Sequence, residues 1–187
     1  MSNNVAFTSR IVPINSSDFN KITSRISKNN FSDYPWTLNE AVVGRDVFTS
    51  RICDCTCVVL SDGQKASLLH LNPAQKANHI MTDMIKFVTK NFDINSKDLT
   101  AVVVGSKNTK PSQGVYNNWI NFLTSYNIPF TILKNGKTPT SVAYRTDTDE
   151  VLISNLTISD ALQNKMSRKE ALSSAFEHIF IANSDEI

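Results

Sequence analysis

No run of apolar residues in this chain reaches the roughly 18 needed to cross a bilayer as a helix. The opening stretch MSNNVAFTSR has neither the basic start nor the apolar core of a secretory leader. The expectation is a protein without membrane insertion, cytoplasmic or secreted by a route that uses no signal peptide. An excess of one charge is also missing, since 19 Lys and Arg stand against 17 Asp and Glu. That balance provides no electrostatic footprint for nucleic acid or an anionic surface, so no nucleic-acid partner is expected. Cysteine is scarce, with three residues at alternate positions, Cys53, Cys55 and Cys57. Neighbours two apart on a strand lie about 7 Å from each other, beyond easy bridging distance, and an odd count leaves one over; no disulfide framework is expected. Repeats and low-complexity blocks are absent too, and 187 residues with 41% hydrophobic content suit one compact domain.

What is present is an interleaving of strand and helix patterns. Residues 1–45 read as an amino-terminal extension packed on the domain, rich in Asn and Ser. It holds one helical candidate at Asp18 to Ser27, where Phe19, Ile22 and Ile26 recur at helical spacing, and a turn near Pro35 and Trp36. Residues 46–187 read as the domain proper. ICDCTCVVLSDGQKASLLHL predicts two strands joined by a tight turn at Asp62-Gly63. PAQKANHIMTDMIKFVTKNF predicts a helix, with Ile80, Met84, Phe87 and Val88 on one face. A strand at Leu99 to Ser106 follows, then a helix carrying Trp119, Phe122, Leu123 and Tyr126, a strand in IPFTILKNG, and two strands paired about TDTDE. The tail from Ser159 predicts one helix with Leu172, Ala175, Phe176, Ile179 and Phe180 on a face and Ser159 as N-cap. Elements alternating in this way predict an α+β layered sandwich.

Placing Asp62 and Gly63 in the two-residue turn sets Cys55 opposite His70. Directly opposite residues on antiparallel strands share a face, with Cβ atoms about 4.5–5.5 Å apart. A thiol beside an imidazole is the minimum for nucleophilic cysteine chemistry, since the ring takes the proton and holds the thiolate as an ion pair. The same register leaves Cys53 and Cys57 without a histidine, and they read as packing residues. A zinc site built from the cysteines, His70 and His79 is the rival reading, although the paired C-x-x-C knuckles and helix-borne His pairs of known zinc sites are missing. His79 and His178 read as surface or core-edge residues.

The run Thr49 to Cys55, TSRICDC, followed by TCVVLSDG and SLLHLNP, is similar to the signature of the chemoreceptor glutamine deamidases of bacterial chemotaxis, the CheD family. In that family a threonine precedes a catalytic cysteine by six residues, an Asp-containing turn follows, and a histidine opens an H-x-x-x-P-like stretch. Thr49, Cys55 and His70 fall on those positions, and Asp62 falls on the turn. Further on, Asn127-Ile128-Pro129 stands where the family has Gly-Ile-Pro, and Asp147 to Val151 stands for its DTGEV turn. The resemblance covers about Asp46 to Ser154, and a related arrangement occurs in deamidating toxins of the cytotoxic necrotizing factor type.

The resemblance implies an α/β/β/α-type sandwich with mixed or antiparallel sheets. It also implies a cofactor-free, cysteine-dependent protein-glutamine deamidase acting on a chemoreceptor or, for an exported effector, on a host protein. Cys55 is then the nucleophile, His70 the acid and base, and Thr49 the group that orients the imidazole. The expected rim of the substrate cleft is Lys107 to Gln113 with Lys134 to Pro139. Cys53-Asp54 stands where the family has Gly-Ser, and an acidic Asp54 opposes negative charge developing nearby unless its side chain points away. That feature favours the alternative of a catalytically weakened CheD-like protein-binding module; a zinc-stabilised domain is the further alternative.

Overall fold

The computed structural model describes residues 11–32, 40–73, 77–105, 109–134 and 138–182; the expected turn at Pro35 and Trp36 lies outside them. Alternation of apolar residues builds two mixed sheets. One has strand order β1 (Ile11–Pro13), β10 (Glu150–Ser154), β9 (Thr140–Arg145), β4 (Asp46–Ile52), β2 (Phe31–Ser32). The other has β11 (His178–Ala182), β8 (Phe130–Lys134), β7 (Thr100–Gly105), β5 (Thr56–Ser61), β6 (Ala66–Leu71), β3 (Glu40–Gly44). The segment before Arg45 thus contributes β1, β2 and β3 to both sheets.

The inner strands of the six-stranded sheet divide their residues between two apolar layers, while edge strand β11 leaves Ile179 and Phe180 exposed. Val58, Leu60, Leu69, Val103 and Ile132 face α2 (Ala77–Asn91) and α3 (Lys110–Ser125), where Trp119 is fully buried. Cys57, Val59, Leu68, Val102 and Leu133 face the opposite way and pack with Val47, Val142, Tyr144 and Ile153 of the five-stranded sheet. A third, smaller cluster of Val12, Phe19, Ala143 and Leu152 seats α1 (Ser16–Thr23) on the far side of that sheet. Fully burying one large aliphatic side chain contributes about 1.5–3 kcal/mol, so the layer between the sheets is what holds them at a fixed register. Among the described residues, no helix is long and apolar enough to cross a membrane.

Three expectations are corrected. The helix sought at Asp18 to Ser27 is α1, which begins two residues earlier because Asn15 caps it by accepting from the Asp18 N–H, and it ends at Thr23. The single tail helix is two helices and a strand: α4 (Leu156–Gln163), α5 (Arg168–Ala175) and β11. The break lies at Asn164-Lys165, where the Lys165 N–H bonds to Leu162 and the Met166 N–H to Ala161, with Lys165 left-handed at φ 59. Ser167 and Glu170 then start α5 with a capping box, and Ile179 and Phe180 pair with Leu133 and Ile132 of β8 rather than continuing a helix. Asn155 caps α4, and Ser159 instead donates its hydroxyl to the Asn155 carbonyl.

The third correction is the hairpin. Ser61 pairs with Ala66 and Asp62 N–H donates to the Lys65 carbonyl, so Gly63 and Gln64 are the turn residues. Only Gly63 has positive φ, at 82, which is the arrangement with glycine first rather than second. Moving the turn by one residue moves every partner by two.

Lys165 sits where a Schellman motif ordinarily takes glycine, and a left-handed non-glycine residue costs about 1–2 kcal/mol. Lys165→Gly is expected to raise the free energy of unfolding by about 1 kcal/mol in urea titration; an unchanged midpoint contradicts the strain.

Candidate active site

The corrected register places Cys57, not Cys55, opposite His70. Parity is retained by a two-residue shift, so Cys55 and His70 remain on the inter-sheet side. Cys55 stands one residue before the ladder opens at Thr56 and packs against the cluster containing Cys57. The ladder does not extend to Cys55; its packing alone places it on the inter-sheet side that His70 also faces. The expected continuous strand through the cysteines is interrupted. Cys53, Asp54 and Cys55 form a bend between β4 and β5, which carries the chain from one sheet to the other.

The bend is prepared by a bulge. Thr49 pairs with Val142 and Ile52 with Thr140, which leaves one extra residue on β4, and Arg51 takes a left-handed φ of 60 with its side chain exposed. Val47 and Thr49 point inward before the bulge and Ile52 points inward after it. Thr49 is fully buried and its Oγ1 lies 2.7 Å from His70 Nδ1 on the facing sheet. Thr49 and His70 are therefore brought into direct contact, one from each sheet, and Cys55 lies on the link between those sheets. His70 is only 2% exposed.

Burial, followed by the Asp54 carboxylate and Cys53, pushes the Cys55 thiol up to about 11. That direction is opposite to the lowered thiol of the expected resting ion pair: the half-buried sulfur loses solvation as an anion, and Asp54 is a neighbouring negative charge. Cys57 is fully buried and burial raises its thiol further still, in keeping with a packing role. All three cysteines are free, with Cys53 exposed. Among the described residues no three His, Cys, Asp or Glu side chains are grouped to hold a metal ion. The zinc alternative finds no ligand set there.

Two groups that the sequence did not single out hold the bend. Ser112, fully buried in the first turn of α3, donates its hydroxyl to the Asp54 carbonyl at 2.8 Å and accepts from Thr109 Oγ1 at 2.9 Å. Gly105 ends β7 at φ 104, and a Cβ there would lie 2.4 Å from the Cys55 carbonyl oxygen. The only sequence signal was a glycine closing an apolar strand. The expected rim loop Lys107 to Gln113 is in part the start of α3, which opens at Lys110 with Pro111 in its first turn; residues 107–108 and 135–137 lie outside the described residues. Gln113 accepts from Lys134 Nζ at 3.3 Å, and that ammonium stands 4.7 Å from the Tyr116 ring centroid.

Thr49→Val keeps the shape but removes the partner of a buried ring nitrogen, and is expected to destabilise by about 1–3 kcal/mol in chemical denaturation. Carboxamidomethylation of Cys55 in the resting protein is expected to keep accelerating above pH 9, toward a midpoint near 11, with exposed Cys53 labelling ahead of it at neutral pH; a Cys55 midpoint below that of a free thiol contradicts the burial account. In comparisons with known proteins, no family model and no curated protein matches the chain.

Proposed function

We propose that the protein is a cysteine-dependent protein-glutamine deamidase of CheD-like architecture, with Cys55 as nucleophile, His70 as acid and base, and Thr49 as the orienting group. The observation that carries this reading is the 2.7 Å contact between Thr49 Oγ1 and His70 Nδ1. These two residues lie 21 apart in sequence and on different sheets, and they are the pair whose contact the family resemblance requires.

The positions where this chain departs from the family's glycines add support. Asn127, in place of the glycine of Gly-Ile-Pro, is left-handed at φ 56, and Asp149, in place of the glycine of DTGEV, is left-handed at φ 53. Asn and Asp are the residues that best tolerate this conformation after glycine, so both positions adopt a backbone that a glycine would also suit. Asn127 ends α3 with the paired bonds Asn127 N–H to Thr124 and Ile128 N–H to Leu123, and Asp149 accepts from the Tyr144 hydroxyl at 2.8 Å.

For His70 to act as base, Nδ1 carries the ring hydrogen and donates to Thr49 Oγ1, leaving the lone pair on Nε2. With the Cys55 thiol raised by burial, proton transfer to Nε2 accompanies attack. The sulfur bonds to the glutamine carboxamide carbon, the tetrahedral oxyanion collapses, and ammonia leaves with the proton from Nε2. Water, deprotonated by Nε2, then cleaves the thioester to glutamate and restores the thiol. The protein substrate is a chemoreceptor or, for an exported effector, a host protein.

A raised Cys55 thiol beside Asp54 favours the second reading, a weakened CheD-like binding module. The two part in one experiment: expression in cells followed by mass-spectrometric mapping of Gln-to-Glu conversions. The deamidase reading predicts conversions that vanish with Cys55→Ser and whose rate falls about a hundredfold with His70→Ala, within the range of lost acid-base catalysis. A map unchanged between wild type and Cys55→Ser contradicts it.

A further inference from the structure

We propose that Ser112 is a positioning residue that aims the Cys55 backbone N–H at the oxyanion of the reaction. The inference rests on the deamidase reading and adds to it a group that neither the motif nor the chemistry of the thiol points to. The carbonyl and N–H of one trans peptide unit point in opposite directions, and no described peptide bond is cis. Ser112 Oγ holds the Asp54 carbonyl at 2.8 Å, toward α3 on the outer face of the six-stranded sheet. The N–H of the same unit belongs to Cys55 and so points away from α3, toward the inter-sheet side on which Cys55 packs and His70 lies.

The next peptide unit is held as well. The Cys55 carbonyl lies against Gly105, where no side chain fits. With both flanking units fixed, the nucleophile's own N–H is preorganised as a donor where negative charge develops, which is the condition for stabilising a tetrahedral intermediate. Ser112 is itself oriented, because its hydroxyl accepts from Thr109 and so gives its hydrogen to Asp54. Thr109 precedes α3 yet makes no side-chain cap bond to the helix; its hydroxyl serves Ser112 instead.

Two reactions at the same sulfur separate this role from simple support of the fold. Acylation of Cys55 by p-nitrophenyl acetate passes through an oxyanion, whereas alkylation by iodoacetamide does not. Both are followed at Cys55 by peptide mapping in wild type, Ser112→Ala, His70→Ala and the near-isosteric Thr109→Val, whose site is exposed. The expected result is an acylation rate lowered about tenfold or more in Ser112→Ala, below the full loss of an oxyanion donor, with alkylation within about twofold of wild type. Thr109→Val shifts the ratio in the same direction by less, and it decides the matter if Ser112→Ala fails to fold. Equal changes in both rates, or no change in either, overturn the positioning role. Wild-type acylation no faster than in His70→Ala instead overturns the deamidase reading, and this proposal with it.

Discussion

A hydrogen bond between two sheets is more demanding than one within a sheet, and the contact of Thr49 Oγ1 with His70 Nδ1 is of that kind. Both residues sit in a layer otherwise packed with Val47, Val59, Leu68, Val142 and Ile153. A polar ring in such surroundings costs free energy unless it is bonded. The contact therefore constrains the register of β4, the register of β6 and the separation of the sheets together. The link between those sheets is short, and it is the link that carries Cys55. Threonine and histidine meet because the sandwich folds, with no local motif holding the pair.

Locating a cysteine on a crossing segment has an energetic consequence. The segment is half-buried, so its thiol is stabilised as the neutral form, and Asp54 adds to that preference. Under the proposed deamidase reading, a thiol raised in this way depends on the imidazole at the moment of attack. Oxidation and stray alkylation are then slowed, since the thiolate is the reactive form. The cost is a greater dependence on the groups that shape the bend: the bulge at Arg51, the bare backbone at Gly105 and the hydroxyl of Ser112.

Sequence periodicity revealed the layered α+β order, and the faces of the strands, because side chains alternate in β5 and β6 between two apolar layers. It misjudged the hairpin because Asp62-Gly63 and Gly63-Gln64 are both acceptable two-residue turns by composition; the choice between them is made by the strands they join. The tail misled for a related reason. Phe176, Ile179 and Phe180 repeat at helical spacing, yet β8 offers an open edge, and the β-branched and aromatic run Ile179 to Ile181 pairs with it. Thr49 was legible only through the family resemblance, since nothing local distinguishes it from other strand threonines. Ser112 was not legible at all, because its partner is a backbone carbonyl 58 positions away.

The most direct test of a working Cys55–His70–Thr49 site is covalent labelling of the intact protein by a diazoketone analogue of glutamine, which needs both a proton donor and a nucleophilic sulfur. The account predicts a single label, mapped to Cys55, whose rate of formation falls in His70→Ala and in Thr49→Val. Labelling that favours exposed Cys53, or that persists unchanged without His70, contradicts it.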